Sequence, residues 1–223
     1  MGSVIGEILP LAVGIAVSPI PIIAAILMLL SPKAKGTSVG FLLGWVLGIV
    51  VAVIVFTLLS SIIPQNDSDE PQPVVGVIKI VLGALLLFMA FRQWRSRPKG
   101  DVEPPLPKWM AAIDTMTAVR GLLLGFALSA LNPKNLLMGV AAGVAIGSGD
   151  LGIGAIVISI AVFTVLAAST VAVPVIAFLV ATEKMTGPLD GLRKWLLHNN
   201  ATVMAVLLLV IGVVLIGKGI ASF

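Results

Sequence analysis

A lysine in the middle of a membrane-length apolar run constrains this chain more than any other feature. The run covers roughly residues 121–146, long enough to cross a bilayer as a helix. Lys134 lies near its middle, about 20 Å along a helix from Arg120, too deep to reach the membrane surface easily. Ionisable residues at such depth usually mark substrate or ion pathways. We therefore expect a polar site around Lys134.

Pro133 is expected to break the helix beside this lysine. Proline lacks a backbone donor and clashes with the preceding turn, so carbonyls near Ser129 lose their helical partners. Broken helices at this depth are buried in protein or line a wet cavity, and in transporters they form substrate sites. The alternative is a plain proline kink whose lysine is satisfied by carbonyls of neighbouring helices.

A second copy of this pattern occurs in the first span. Setting residues 125–131 (GFALSAL) over residues 14–20 (GIAVSPI) matches two glycines, two alanines, and Ser129 with Ser18, and each copy then reaches a proline one residue out of step. The copies lie half a chain apart, as do paired broken helices in transporters built from repeats. A second break is therefore predicted near Ser18.

The composition places the chain in a membrane. It is 59% hydrophobic and only 11% charged, whereas soluble domains are about a quarter charged. The absence of cysteine excludes disulfides, thiol relays and cysteine-ligated metals. The net charge of +4 is attributed to basic residues near the span ends, which set orientation and bind anionic lipid headgroups, and it does not indicate nucleic-acid binding. The N-terminal run lacks signal-peptide features and is interpreted as a retained span.

We predict an all-α polytopic membrane protein with six transmembrane helices. Because three spans per half is an odd number, the second half must insert upside down, which gives two inverted three-helix repeats with spans one and four broken at the proline motifs. The expected organisation is a first repeat over 1–93, a cytoplasmic linker with an interfacial helix over 94–120, and a second repeat over 121–223. The spans are placed at about 4–30, 38–63, 74–91, 121–146, 156–181 and 202–220.

The connections carry further expectations. Turns are predicted over 31–37 and 147–154, and interfacial helices over 108–119 and 187–199. Gly40, Gly44 and Gly48 form a small-residue face suited to close helix packing. Lys79 lies one turn inside span three. Its side chain can extend to the membrane surface or have a functional role, and both interpretations stay open.

Charge sets the expected orientation. With six spans the termini share one side, and the other side collects eleven of the fourteen basic residues. By the positive-inside rule that side is cytoplasmic, so the protein is placed in the cytoplasmic membrane with both termini outside. These basic residues are Lys33, Lys35, Arg92, Arg95, Arg97, Lys99, Lys108, Arg120, Lys184, Arg193 and Lys194.

The chemistry argues against an enzyme and favours an anionic substrate. Hydrolase, P-loop and dinucleotide motifs are absent from the sequence, and the only histidine, His198, lies in an interfacial segment. No carboxylate lies in the central part of a span, so a metal site is not expected, and no cofactor is predicted. Lys134 beside helix N-terminal ends suits a carboxylate or phosphate.

A wide crevice between spans one and four is predicted as the substrate site. Its lining serines and asparagines, with water, would satisfy the carbonyls that the prolines free. The residues assigned to substrate binding are Ser18, Pro19, Pro21, Ser129, Asn132, Pro133, Lys134 and Asn135.

These motifs resemble those of the LysE (lysine exporter) superfamily. The run of residues 18–45 (SPIPIIAAILMLLSPKAKGTSVGFLLGW), with residues 129–143 (SALNPKNLLMGVAAG), is similar to its GAP branch, named for peptidoglycolipid addressing. The resemblance implies an exporter-like fold and an actinobacterial role in moving envelope glycolipids. Amino-acid exporters of the superfamily carry Pro-Gly-Pro in span one, where this chain has Pro19-Ile20-Pro21. Carried over as substrate-pathway residues are Ser18, Pro19, Pro21, Asn132, Pro133 and Lys134.

The leading hypothesis is a transporter that moves an anionic envelope lipid or glycolipid outward. One alternative is an exporter of small amino acids or related metabolites, and another is a non-transporting scaffold for lipid-assembly enzymes. The expected partners are membrane lipids and an anionic or zwitterionic substrate, without nucleic acid, and a homodimer is left open.

Overall fold

A computed structural model describes residues 1–60, 62, 73–97, 113 and 115–223, and this part of the chain is almost entirely helical, with no strand. The all-α expectation is confirmed for the described residues. A π-helical turn, Ala127–Leu131, joins α5 to α6. The helices are α1 Gly2–Ala16, α2 Pro19–Leu29, α3 Ala34–Ser60, α4 Pro73–Arg95, α5 Ala118–Phe126, α6 Pro133–Gly147, α7 Ile153–Val180 and α8 Thr182–Ile220.

Four of the described helices, α3, α4, α7 and α8, are long and apolar enough to cross a membrane. Helices α1 and α2 count as a fifth span if the bent pair is one crossing, since they meet at 50°. The break predicted in span one is thereby confirmed. Helix α5 with its π-helical turn is apolar but shorter than a membrane span.

Helix α3 packs in parallel along α5 and then α6. A Cβ added to Gly44 would strike the backbone of Leu122, so the two helices touch backbone to backbone, as the glycine spacing predicts. Further along, Ser60 Oγ donates a hydrogen bond to the Gly143 carbonyl at 3.2 Å. Helices α5 and α6, with the π-helical turn between them, therefore follow α3 from end to end.

Helices α4 and α8 form a second, antiparallel unit, which we call the α4–α8 pair. Glycines again set the distance: Gly76 lies against Gly219, and Gly83 lies against Gly212. The pair touches the other described helices, the main bundle, mainly through α2, α6 and α7. We call the boundary between the pair and the main bundle the seam.

Two of the predicted connections need correction. Helix α3 begins at Ala34, inside the turn predicted over 31–37, because the Thr37 N–H already donates a helical i→i−4 hydrogen bond to the Lys33 carbonyl at 3.2 Å. Residues 187–199 are not a separate interfacial helix but part of the 39-residue α8, because residues 192–201 contain no glycine or proline to end it. At 1.5 Å per residue α8 is about 58 Å long and must project beyond the apolar layer.

Other connections are confirmed or lie outside the described part. The turn after α6 lies within the predicted 147–154, with Asp150 in the left-handed region at φ 45°. Most of the predicted interfacial helix over 108–119 and of the linker over 94–120 falls outside the described residues.

Candidate functional site

The break in span one leaves a serine hydroxyl without a capping role. Ser18 is extended, at φ −84° and ψ 106°, and precedes Pro19, the first residue of α2. An N-cap hydroxyl normally accepts from the N–H of the second or third helical residue. Here the third residue is Pro21, which has no N–H, and Ser18 makes no side-chain cap bond. Its hydroxyl is therefore available to other groups.

The break in span four is capped in the ordinary way. Asn132 is extended, at φ −70° and ψ 121°, and its Oδ1 accepts from the Lys134 N–H at 3.1 Å. Pro133 is the first residue of α6, where its missing N–H does no harm. The break predicted at this proline motif is confirmed, and it places Lys134 in the first turn of α6.

A buried hydrogen-bond cluster joins the two breaks. Lys134 Nζ donates to the Gly14 carbonyl at 2.7 Å and to Ser18 Oγ. Ser18 Oγ donates to Asn135 Oδ1 at 3.2 Å, and Asn135 Nδ2 donates to the Leu128 carbonyl at 2.9 Å. Ser18, Lys134 and Asn135 are 3%, 6% and 2% exposed. Three of the predicted site residues thus form one network.

The surroundings of Lys134 stabilise its charge only in part. The Gly14 carbonyl lies in the last turn of α1, the negative end of that helix dipole, which favours a cation. The first turn of α6, where Lys134 itself lies, favours an anion instead. Among the described residues no carboxylate pairs with this ammonium, and two of its three donors have protein acceptors. The site is therefore short of negative charge.

A cavity of about 130 Å³ lies beside this cluster, across the seam. The Oδ1 atom of Asn200 is buried on the cavity wall without a hydrogen-bond partner in the described part of the chain. The cavity is narrow, so the prediction of a wide crevice is wrong in scale. The main bundle contributes Ser18, Pro19, Ile20, Pro21, Asn132 and Lys134, and the α4–α8 pair contributes Met89, Gln93, Asn200, Met204 and Leu208.

Ser129 lies outside the hydrogen-bond cluster and does not line the cavity. Its Oγ donates to the carbonyls of Gly125 and Phe126, both at 3.0 Å, and packs against Gly48 of α3. The helix continues beyond Ser129 through the π-helical turn, so this hydroxyl stays bonded to its own preceding turn. Lys134, Asn132, Pro19 and Pro21 line the cavity. Asn135 does not line it but accepts a hydrogen bond from Ser18, which does, and Pro133 begins the helix that carries Lys134.

Sequence reasoning missed Gln93 and Asn200 as cavity residues. Both lie at the ends of apolar runs, where amides are expected at the membrane surface. One signal was present: Gln93 follows Met89 by four residues, and Asn200 precedes Met204 by four. That spacing puts an amide and a methionine on one face of each helix, in opposite order, as two antiparallel helices lining one cavity require.

One family model matches this chain. It is described as Sap, sulfolipid-1-addressing protein, and it matches residues 8–221. Neither the curated proteins nor the solved structures gave a significant match. The match supports a lipid-addressing membrane family, and the finer resemblance to the LysE superfamily and its GAP branch stays a prediction. By a match over almost its whole length, the chain belongs to the Sap, sulfolipid-1-addressing protein, family.

Proposed function

We propose that this protein is a six-span transporter that moves an anionic envelope lipid or glycolipid outward across the cytoplasmic membrane. The observation that carries the proposal is the buried Lys134, which lines a cavity between the two helix breaks and the α4–α8 pair and has no carboxylate partner among the described residues. A cation so placed is best neutralised by the substrate's own negative charge. The sulfolipid in the family's description supports a sulfate-bearing lipid headgroup.

The packing supports six spans in two related halves. Helix α3 crosses the membrane by length, and α5–α6 runs beside it over the same distance, so the pair counts as one broken span. The contacts are also reciprocal: α1 of the first half packs on α7 of the second, and α5 of the second half packs on α3 of the first. Exchanging the halves leaves this pattern unchanged, as an inverted repeat requires.

An apolar groove favours a lipid over a small metabolite. It has a volume of about 430 Å³ and lies between α4 and α8, next to the cavity. On α4, Ala90 and Trp94 line the groove, while the neighbouring Met89 and Gln93 line the cavity. A headgroup in the cavity can therefore keep its acyl chain in the groove. The groove is lined by Leu87, Ala90, Phe91, Trp94, Ala205, Val206 and Leu209.

The small cavity favours the second candidate, export of an amino acid or related metabolite, since about 130 Å³ holds a molecule of that size. The purified protein in liposomes separates the two functions. Movement of a sulfated glycolipid supports the lipid transporter, and efflux of a trapped amino acid supports the alternative. If the liposomes show neither activity, the remaining hypothesis is a non-transporting scaffold for lipid-assembly enzymes.

Lys134→Met tests the site directly. It keeps most of the side-chain length, and removing an unpaired buried charge usually leaves folding intact or stabilised. We expect lipid transfer to fall to the level of empty liposomes, whereas Lys134→Arg keeps part of it. The matched control is Lys184→Met, which removes an exposed lysine at the start of α8. A folded, fully active Lys134→Met protein would contradict the proposal.

The topology is tested by labelling. Single cysteines at Ser68 and Ser96 of this cysteine-free chain should react with an impermeant thiol reagent from opposite sides, Ser68 from outside and Ser96 from the cytoplasm. Labelling of both positions from the same side would exclude the six-span arrangement.

A further inference from the structure

A partly buried charge cluster lies at the other end of the seam from the cavity. Glu7 of α1 lies between Lys79 of α4 and Lys218 of α8, with Oε1 to Lys79 Nζ at 2.9 Å and Oε2 to Lys218 Nζ at 3.8 Å. The side chains of Glu7, Lys79 and Lys218 are 17%, 11% and 34% exposed. Lys79, for which two roles were open, is thus an ion-pair partner. The cluster carries two positive charges and one negative charge.

This cluster connects the same two units as the cavity. Glu7 belongs to the main bundle and both lysines belong to the α4–α8 pair, so the contacts cross the seam. Fourteen residues separate Lys79 from Gln93 on α4, which places the cluster about 21 Å from the cavity wall. One seam therefore holds the cavity toward one end and an ionic contact at the other.

Stability alone does not explain the cluster. Desolvating charges is costly, and apolar residues often stabilise such a position as well as an ion pair does. Close glycine contacts already hold α4 against α8 without it. Glu7 Oε1, despite its short distance to Lys79, makes no aligned hydrogen bond in the described structure. Helix α1 packs mainly on α6 and α7, so Glu7 is its chief polar contact with the α4–α8 pair.

We propose that Glu7, Lys79 and Lys218 form an outer latch, which closes the transport path and, once Glu7 leaves, binds the departing headgroup through its two lysines. The inference rests on the proposed function. Glu7 lies seven residues before Gly14, the carbonyl partner of Lys134, and therefore on the same face of α1 and about 10 Å away. An anionic headgroup leaving Lys134 next meets a cluster with excess positive charge, where it takes the place of the Glu7 carboxylate.

The ligand chemistry is a sulfate or phosphate group carried by a lipid. Opening the latch requires the α4–α8 pair to move against the main bundle, and rigid-body rocking of one unit against another is the usual form of alternating access. The glycine-packed α4–α8 pair is suited to move as one body, because its two helices contact each other more extensively than they contact the main bundle.

The test uses a reporter in the cavity. Met89→Cys gives a single thiol on the cavity wall, and vesicles containing the full chain are treated with an impermeant thiol reagent on the side of the termini. We expect Glu7→Gln to raise the labelling rate about tenfold, as loss of an interdomain contact shifts the closed–open equilibrium. The matched control is Asp190→Asn, because Asp190 also pairs with two basic residues, Arg193 and Lys194, but within one helix.

A double variant separates the latch from the binding site. Lys79→Met with Lys218→Met also removes the ionic contact, so it should label as fast as Glu7→Gln. Glu7→Gln keeps the lysines and should still transfer a sulfated lipid, whereas the double variant should lose that transfer. Retained transfer in the double variant would overturn the binding role. If Glu7→Gln fails to fold, as judged by size-exclusion chromatography, Lys79→Met alone carries the labelling test.

Two further measurements identify the ligand and test the latch separately from the proposed transport function. Sulfated lipid in the vesicles should speed labelling of the Met89→Cys protein, and inorganic sulfate alone should not. If free sulfate speeds labelling equally, the bound sulfate group need not be carried by a lipid, and the lipid ligand is ruled out. Labelling of Glu7→Gln at the unmodified rate would overturn the latch, whatever transport shows. If Glu7→Gln labels faster but the unmodified protein transfers no lipid, the proposed function and the headgroup-binding role are refuted. The role of the latch in closing the cavity would still stand.

Discussion

The two helix breaks, one before Pro19 and one before Pro133, are built differently, although the sequences around them resemble each other. In the first, α1 ends at Ala16, two residues follow, and Pro19 begins α2 at an angle of 50°. In the second, a π-helical turn extends the helix to Leu131, and Asn132 alone is extended before Pro133 begins α6. The first break frees a hydroxyl, and the second break presents a lysine to it.

The difference shows that the position of the proline decides the role of the serine before it. Ser18 precedes a proline directly, leaves the helical conformation and bonds across to Lys134. Ser129, its match in the sequence, is still helical and bonds its own preceding turn. By helix position, Ser18 corresponds to Asn132, since each is the N-cap residue before a first-turn proline.

The largest expected effect compares the two matching glycines. A Cβ on Gly125 would overlap the Phe41 carbonyl and lie 2.8 Å from the Trp45 nitrogen, and backbone cannot yield. A Cβ on Gly14 meets only the ends of the Ile211 and Met138 side chains, which can rotate. We expect Gly125→Ala to lower the free energy of unfolding by about 3 kcal/mol and Gly14→Ala by about 1 kcal/mol.

Reversible unfolding in mixed micelles measures both variants. Each substitution adds one methyl group to a helix, so differences in helix propensity cancel between them. Equal losses would mean that the helices before the two breaks tolerate an added methyl group equally, against the contacts observed.

The apolar runs and prolines were enough to predict the long apolar helices and both breaks, but not where α3 begins or how far α8 extends. Proline disrupts a helix locally, so the breaks next to Pro19 and Pro133 could be predicted from the sequence alone. The contacts of Ser18 and Ser129 could not, because one hydroxyl pairs across 116 residues and the other within its own turn. Likewise Glu7 and Lys79 are distant in the sequence, and only the tertiary fold brings their side chains together.

A smaller effect is expected from the two serines. Ser18→Ala removes an acceptor from a buried ammonium, and a hydrogen bond to a charged group contributes about 1.5–3 kcal/mol, so lipid transfer should fall about tenfold or more. Ser129→Ala removes only bonds within one helix and should leave transfer within about twofold of the unmodified protein. Transfer is measured in the liposome assay at equal protein content. Equal losses in the two variants would restore Ser129 to the site.

The smallest expected effect concerns capping, which only the second break uses. Asn132→Ala removes the side-chain oxygen that accepts from the Lys134 N–H, and losing such a cap costs about 1 kcal/mol of stability. Asn132→Ser should recover most of that loss, because serine is an equally good N-cap. Ser18→Ala loses no cap bond, since Ser18 makes none.

Unfolding in mixed micelles without substrate distinguishes these variants from one another, because it measures the cap and not transport. If Asn132→Ser were as unstable as Asn132→Ala, the cap bond would not be what Asn132 contributes. The amide that faces the cavity would then be the feature that requires asparagine at this break.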